Sequence, residues 1–471
     1  IEAIWGFRQL QGWAYSNHSL FRLTGSFFNP GPYSGYLAIT LPVALGILLE
    51  QSKRNMPYYL SMGCIGTAIV VLPAGMSRSA WIAVVVSCAW VYALYRLDRK
   101  QAATRLRQHK RWYIIGGILG GILLLGGSAS LYTLKKDSAD GRFLMWKITT
   151  KAIQKQPITG TSLGGFPAAY AETQAEYMAS GKATEQEKLV AGCPEYAFNE
   201  YLQIGLEQGL VGLALFIGWL GLLFYKGIKN KRYACCGGLM SLAIFAFSSY
   251  PLQLPEFWVV LIFLGVMSVT PDKDEIRENQ AESNGHRWGK QIFFMGIAIL
   301  GIGLFWMQKD HYKAYQQWNK AQMYYKNKAY EAALEVYEPL YPLLKHKPEF
   351  LFEVAQCLSK TGRYEKANGY LERAVLLSSD PMLYYVMAKN EQCLGEYRQA
   401  EKHLLHAIDI LPERIYPYYL LMNLYTEPSY FQPAKLKMAI DSVLTKKPKV
   451  ESSAIKEMKE KARSMLNNTS I

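Results

Sequence analysis

The sequence has few cysteines and no cluster of metal-binding side chains. Its seven cysteines are spread over a chain of 471 residues, at Cys64, Cys88, Cys193, Cys235, Cys236, Cys357 and Cys393. None of them stands at the short Cys/His spacing that a zinc site requires, so the pattern predicts no metal and no cofactor. Most of these cysteines are expected to be small, buried apolar residues.

The C-terminal part of the chain lacks long apolar runs. Residues 309–471 are rich in Lys, Glu and Tyr, and no stretch among them is long enough to cross a bilayer. Residues 34–307 instead contain repeated apolar runs, and 50% of the whole chain is hydrophobic. The composition therefore predicts at least two domains, an apolar membrane domain and a separate polar domain.

Eight apolar runs are candidate membrane spans. They lie at about 34–49, 58–73, 79–95, 113–131, 209–225, 234–249, 256–270 and 291–307. Residues 1–33 are interrupted by Arg, Asn, His and Pro, which favours a segment lying along the membrane surface. The chain opens at Ile1 without an initiator Met or a signal-peptide pattern, so we expect it to extend upstream with further spans.

Positive charge is scarce on one side of the predicted membrane domain. The loops of one alternate set are rich in Lys and Arg, whereas the short loops of the other set hold Arg78 alone. Since basic residues gather in cytoplasmic loops, the loop 132–208 and the chain after Met307 are predicted to lie on the outer side. The net charge of +15 then reflects membrane topology, and we expect no nucleic-acid partner.

The polar domain contains an internal repeat. Each unit repeats Tyr-x-x-Ala and is closed by a proline, at Tyr330 and Pro348, Tyr364 and Pro381, and Tyr397 and Pro412. The pattern resembles the tetratricopeptide repeat over about 314–414, with a divergent fourth unit around 430–448. This resemblance implies a solenoid of stacked helix pairs. Its concave surface is expected to bind a protein or peptide; the alternative is a solenoid that only packs on the membrane domain.

Three polar motifs accompany the apolar runs: Ser77-Arg78 before a span, Gly141-Arg142 before an amphipathic helix, and Asn199-Glu200 near the end of the long loop. An arginine at the end of a span either reaches the membrane interface or faces a polar cavity. A turn after Pro157 also carries Gly160, Gly164 and Gly165, whose backbone amides can approach an anion closely.

In their order and spacing, these motifs resemble the O-antigen ligase and polymerase family over about residues 23–225. The resemblance implies a polytopic glycosyltransferase of the bacterial inner membrane. Such an enzyme moves a glycan from an undecaprenyl-pyrophosphate carrier to an acceptor on the periplasmic side. Three kinds of acceptor fit this reading: another glycan, lipid A-core, or a protein hydroxyl group.

The resemblance also assigns roles to residues. Arg78 and Arg142 would bind the pyrophosphate leaving group, because guanidinium groups offer bidentate hydrogen bonds without a metal. Asn199 and Glu200 would orient or activate the acceptor. Further substrate contacts are expected from Gly160, Gly164, Gly165, His18 and Arg22.

One position departs from the family pattern. The residue before Asn-Glu is commonly His, whereas this chain has Phe198, which cannot accept a proton. Either another residue is the base, with Glu200 favoured over Glu195 and His18, or deprotonation needs no dedicated base, or this copy is inactive. Glu200 has the alternative role of capping the helix that leads to Gly209. An inactive copy would be a membrane anchor that displays a binding solenoid.

The sequence thus predicts an all-α protein with about eight spans in this chain, followed by a soluble α-solenoid. A third possible function, a transporter, is disfavoured because no span interior carries a convincing pair of ionisable residues. The expected domains are a surface segment at 1–33, a membrane domain at 34–307, a tetratricopeptide domain at 309–449 and a tail at 450–471.

Overall fold

The computed structural model describes residues 1–51, 54–98, 136–271, 287–448 and 450–468. All regular secondary structure within these ranges is helical, with no strand, and this confirms the predicted all-α fold. The described residues divide into two compact units. The first comprises Ile1–Arg142, Pro157–Gly160 and Tyr196–Asn284, and the second Phe143–Gln156, Thr161–Glu195 and Gly285–Ile471.

The helices of the N-terminal half are numbered in chain order. Up to residue 98 they are α1 (Glu2–Leu10), α2 (Pro30–Glu50), α3 (Met56–Val71) and α4 (Arg78–Asp98). The polar segment then forms α5 (Lys136–Lys155), α6 (Phe166–Ala179), α7 (Glu185–Val190) and α8 (Glu200–Glu207). Apolar helices follow as α9 (Gly209–Lys229), α10 (Tyr233–Ala246) and α11 (Pro255–Val269).

Four segments of the described chain are long and apolar enough to cross a membrane. These are Pro30–Glu50, Met56–Gly75, Arg78–Asp98 and Gly209–Lys229, while α10 and α11 are shorter apolar helices. The predicted run 113–131 lies outside the described residues. The predicted run 291–307 falls within α12 (Arg287–Met307). The number of spans stays a prediction.

Small residues allow the helices of the first unit to pack closely. A Cβ atom at Gly35 of α2 would lie 2.2 Å from the ring of Phe245 in α10. Ser241 of α10 also donates its hydroxyl to the carbonyl of Ala38, at 2.8 Å. Such backbone proximity is typical of membrane helices, where packing rather than the hydrophobic effect holds helices together. This packing positions the end of α10, where part of the candidate site lies.

The C-terminal helices form the predicted solenoid. They are α13 (Lys309–Lys326), α14 (Tyr330–Tyr337), α15 (Tyr341–Leu344), α16 (Pro348–Lys360), α17 (Tyr364–Val375), α18 (Met382–Leu394), α19 (Tyr397–Ile410), α20 (Ile415–Tyr425), α21 (Pro433–Thr445) and α22 (Ser453–Asn468). The repeated tyrosines begin the second helix of successive pairs. The repeated alanines, Ala333, Ala367 and Ala400, are fully buried, because only a small side chain fits where paired helices meet.

Part of the long polar segment belongs to the same unit as the repeats. Helix α6 packs against α19, and the fully buried amide of Gln174 joins them. Its Nε2 donates to the carbonyl of Ile410 at 2.8 Å and to the carbonyl of Gly192 at 3.1 Å. The predicted domain boundaries, which assign this segment to the membrane domain, stay a prediction.

Candidate active site

Arg142 lies in α5 with its guanidinium half-buried in the first unit. Its Nη1 donates to the carbonyl of Ser248, just beyond α10, at 3.0 Å. The guanidinium carbon lies 5.3 Å from the centre of the Phe198 ring. Among the side chains that the structure describes, no carboxylate forms an ion pair with Arg142. Its donors are therefore only partly used by the protein, and an anion can take the others.

Arg78 is the first residue of α4 and is half-buried. Burial lowers the pKa of Arg142, and the positive charge of Arg78 lowers it further. The positive charges of the two arginines that the sequence singled out therefore act on each other. Since a guanidinium stays protonated in proteins, the repulsion is a cost that a bound anion relieves.

Phe198 supplies an aromatic surface beside Arg142. Its ring meets Tyr250 edge to face at 4.9 Å, and Tyr250 stacks on Tyr196 at 5.3 Å. The backbone of Phe198 is left-handed, with φ of 49°, a conformation that costs energy for a bulky residue and persists only where packing enforces it. Position 198 of this chain thus holds an aromatic ring against a cation.

Asn199 and Glu200 do different work at the start of α8. Asn199 is the N-cap, and its Oδ1 accepts from the backbone N–H of Leu202 at 3.1 Å. Glu200 is therefore not the cap. It is 1% exposed and accepts from the backbone N–H of Leu252 at 2.6 Å and from Nε2 of Gln253 at 3.0 Å.

The environment of Glu200 favours its neutral form. Burial raises the pKa of Glu200 to about 7, the hydrogen bonds from Gln253 and Leu252 oppose this rise, and the negative charge of Glu207 adds to it. A carboxyl group with a pKa near 7 is suited to proton transfer at physiological pH. The same hydrogen bonds tie α8 to the turn Pro251–Gln253, which follows Tyr250.

The glycine-rich turn is divided between the two units. Gly160 belongs to the first unit, and with φ of 70° a Cβ atom there would lie 2.5 Å from the carbonyl of Glu207. Leu210 donates its N–H to the carbonyl of Pro157 at 2.8 Å in the same contact. Gly160 therefore serves close backbone packing. Gly164 and Gly165 lie in the second unit, just before α6, and their predicted substrate contacts stay a prediction.

His18 and Arg22 lie in the segment between α1 and α2. His18 packs on the ring of Phe21 at 4.7 Å, and its Nδ1 accepts from the N–H of Leu20 at 3.0 Å. Arg22 is exposed. The structure describes no contact of either residue with Arg142, so their predicted part in substrate binding stays a prediction. Glu195, an alternative base, is exposed in the second unit.

An apolar groove of about 400 Å³ opens beside the arginines. It is lined by Ser79, Ile82, Tyr201, Ala243, Ile244, Phe247 and Ser248. Ser79 directly follows Arg78, and Ser248 is the residue whose carbonyl binds Arg142. Sequence reasoning missed this groove, because apolar residues that line a groove and apolar residues that face lipid look alike in a hydrophobic run.

Comparison with known proteins bears on the whole of this region. Residues 63–217 match the model of a family described as O-Antigen ligase. Over these residues the chain is similar to the O-antigen ligase family. The match includes both arginines and the Phe198-Asn199-Glu200 motif, and it confirms the resemblance drawn from the sequence. It indicates a membrane protein of a glycosyltransferase or ligase type.

A second match covers the repeats. Residues 326–407 match the model described as Anaphase-promoting complex, cyclosome, subunit 3, a model of the tetratricopeptide type. This match confirms the repeat architecture that follows the ligase-like region in the sequence, and it indicates a module for protein interaction. No curated protein matches the chain.

Proposed function

We propose that the ligase-like domain transfers a glycan from an undecaprenyl-pyrophosphate carrier to an acceptor at the periplasmic face of the inner membrane. One observation carries the proposal. The positive charges of Arg78 and Arg142 act on each other, and an apolar groove of about 400 Å³ is lined by Ser79, which follows Arg78, and by Ser248, which binds Arg142. A double anion with a long hydrocarbon tail is the ligand that this pairing of charge and apolar surface fits.

In the proposed complex, the two arginines bind the pyrophosphate and the groove receives the first part of the polyprenyl chain. The acceptor oxygen attacks the anomeric carbon, and the bond between that carbon and the phosphate oxygen breaks. The pyrophosphate leaves with the bonding electrons, and its growing negative charge is stabilised by guanidinium groups that are already in position. Ser248 and Phe198 hold Arg142 in that position.

The acceptor hydroxyl must lose a proton during the attack, and Glu200 is the proposed base. Its pKa of about 7 permits it to accept a proton at neutral pH. The alternative is a reaction without a dedicated base, in which Glu200 only positions the turn that follows Tyr250. The pH dependence of the activity of the Glu200→Gln variant distinguishes the two roles.

The acceptor is proposed to be lipid A-core, another glycan or a protein. The repeats favour a protein, either as the acceptor or as an assembly partner in the periplasm. A second candidate function, a non-catalytic anchor that displays the repeats, is favoured by Phe198, which removes the family's usual proton acceptor.

The proposal is tested by transfer of a lipid-linked oligosaccharide in vitro. Arg78→Ala and Arg142→Ala are each expected to lower turnover by about 100-fold, the scale on which one donor to a developing negative charge acts. Arg96→Ala is the matched control, because Arg96 lies at the opposite end of α4. Full turnover in both site variants would exclude the pyrophosphate role, and no turnover in the wild type with any acceptor would favour the anchor.

The proposed topology has a separate test. A reporter that is active only after export, fused after Lys309, is expected to give a signal. A signal from a cytoplasmic reporter at the same position would reverse the orientation and remove the active site from the periplasmic face.

A further inference from the structure

A groove of about 840 Å³ opens in the second unit. One wall is the loop segment with Cys193 and Glu195, and the others come from α16, α18 and the start of α20. Ser379 holds the loop segment against the repeats, since its hydroxyl donates to the carbonyl of Pro194 at 3.2 Å. The groove is thus formed jointly by the repeats and by the polar loop of the ligase-like part of the chain.

The groove carries an excess of negative charge. Four carboxyl groups line it, from Glu195, Glu349, Glu353 and Asp380, against one lining guanidinium, from Arg414. Glu353 is occupied by hydrogen bonds from the side chains of Trp318, Gln322 and Tyr337. The carboxyl groups of Glu195, Glu349 and Asp380 are exposed. A cationic ligand therefore finds favourable charge in the groove.

A buried hydroxyl group gives an independent sign of a ligand. Tyr385 lines the groove and is 4% exposed, and within the part of the chain that the structure describes its hydroxyl has no hydrogen-bond partner. Burial raises the pKa of Tyr385, and among the groove residues the positive charge of Arg414 lowers it while the negative charge of Asp380 raises it. The hydroxyl therefore lies close to lining residues of the groove. Buried polar groups are rarely left without a partner, and a ligand atom would supply one.

We propose that this groove binds an extended peptide segment of a partner protein that carries lysine or arginine side chains. The exposed carboxylates receive the cationic side chains, and Phe352 offers an aromatic face on which their alkyl parts can pack. The hydroxyl of Tyr385 donates to a backbone carbonyl of the peptide. The inference does not rest on the proposed transfer reaction, because it concerns binding alone.

The test uses the full chain, purified in detergent, and a fluorescent peptide of alternating lysine and alanine. Fluorescence anisotropy is expected to show binding of this peptide and none of a peptide with glutamate in place of lysine. Because the contacts are ionic and partly solvated, the affinity is expected to fall by about 3–10-fold when salt rises from about 50 to about 300 mM.

Substitutions in the groove separate its parts. Glu349→Gln combined with Asp380→Asn is expected to weaken binding by about 5–30-fold, and the new Asn can still accept from the N–H of Met382, as Asp380 does. The matched control is Glu365→Gln combined with Glu372→Gln, which removes the same charge from exposed positions on α17 outside the groove. This control is expected to bind as the wild type does.

Tyr385→Phe isolates the hydroxyl. Binding is expected to weaken by about 3–10-fold while the thermal midpoint stays at the wild-type value or rises, because the hydroxyl has no partner to lose in the free protein.

Four results would overturn the proposal. They are the absence of lysine-peptide binding, equal binding of the glutamate peptide, equal losses in the groove and control double variants, and binding of a neutral maltooligosaccharide in place of the lysine peptide. The last result would identify a glycan site, since aromatic and carboxyl groups also suit sugars.

Discussion

Substitution of Phe198 tests the candidate site most directly, because its ring contacts both Arg142 and Tyr250. Phe198→Leu keeps the apolar volume approximately and removes both ring interactions. A cation over an aromatic face contributes about 0.5–2 kcal/mol, depending on its desolvation, and an aromatic pair about 0.5–1.5 kcal/mol. Arg142 is half-buried, so we expect its position to lose about 1–2 kcal/mol of support.

That loss acts on the rate if Arg142 stabilises the leaving pyrophosphate. A factor of ten in rate corresponds to about 1.4 kcal/mol, so Phe198→Leu is expected to lower kcat/KM by about 5–30-fold. Phe198→His is the matched variant. It keeps an aromatic ring and tolerates the left-handed backbone of this position, which has φ of 49°. It is therefore expected to retain at least wild-type activity.

The assay is steady-state transfer of a lipid-linked oligosaccharide, with the donor concentration varied. Circular dichroism and the thermal midpoint check that each variant is folded. If Phe198→Leu turns over as fast as the wild type, the ring does not position Arg142 and the reasoning fails. A loss in Phe198→His as large as that in Phe198→Leu would equally contradict it, because His keeps the aromatic face.

Three further predictions concern other residues. If Glu200 is the base, wild-type activity rises with pH through about 7, because only the ionised carboxylate accepts a proton. The Glu200→Gln variant is then expected to have low activity that does not change with pH. A pH profile of the variant equal to that of the wild type would leave Glu200 a positioning role. Gly160→Ala is expected to cost about 1–3 kcal/mol of stability, because its Cβ atom would clash with the backbone of Glu207. Gly164→Ala is the control: Gly164 has a similar φ of 76° but no neighbouring atom within 4 Å, so a smaller shift of the thermal midpoint is expected. Equal shifts of the thermal midpoint in the two variants would contradict the packing role of Gly160. Gln174→Leu removes two hydrogen bonds to carbonyl groups, and about 1–3 kcal/mol is lost for each buried group left without a partner. Amide hydrogen exchange in residues 185–195 is therefore expected to become faster. Unchanged exchange would contradict the role of Gln174 in holding this segment.

The sequence pattern was sufficient for the helical architecture, because it depends on local and periodic features. Runs of apolar residues predicted the four membrane-length helices of the described chain, and the recurrence of Tyr330, Tyr364 and Tyr397 predicted the helix pairs of the solenoid. Both signals can be recognised from residue order along the chain, without knowledge of tertiary contacts. The number of spans, by contrast, stays a prediction.

The sequence was less informative about the roles of single residues. Asn199 and Glu200 are neighbours, and only the structure shows that Asn199 caps α8 while Glu200 binds the turn Pro251–Gln253. Phe198 was noted as a departure from a family pattern, but its contact with Arg142 joins residues far apart in the chain. Such contacts depend on how helices pack, and neither hydropathy nor spacing contains that information.

The long polar stretch from Gly141 to Glu207 shows most clearly what the sequence determines and what only the tertiary structure determines. Residue order alone identified Arg142, the glycine turn and the Asn199-Glu200 pair as its chemically interesting parts, because charge, glycine and capping residues are recognisable locally. Tertiary structure decided that the charge of Arg78 acts on Arg142, and that the turn is divided between two units with Gly160 packed on the end of α8. The physical reason is that membrane helices meet wherever small residues permit close packing, and this brings together side chains that the chain itself keeps far apart.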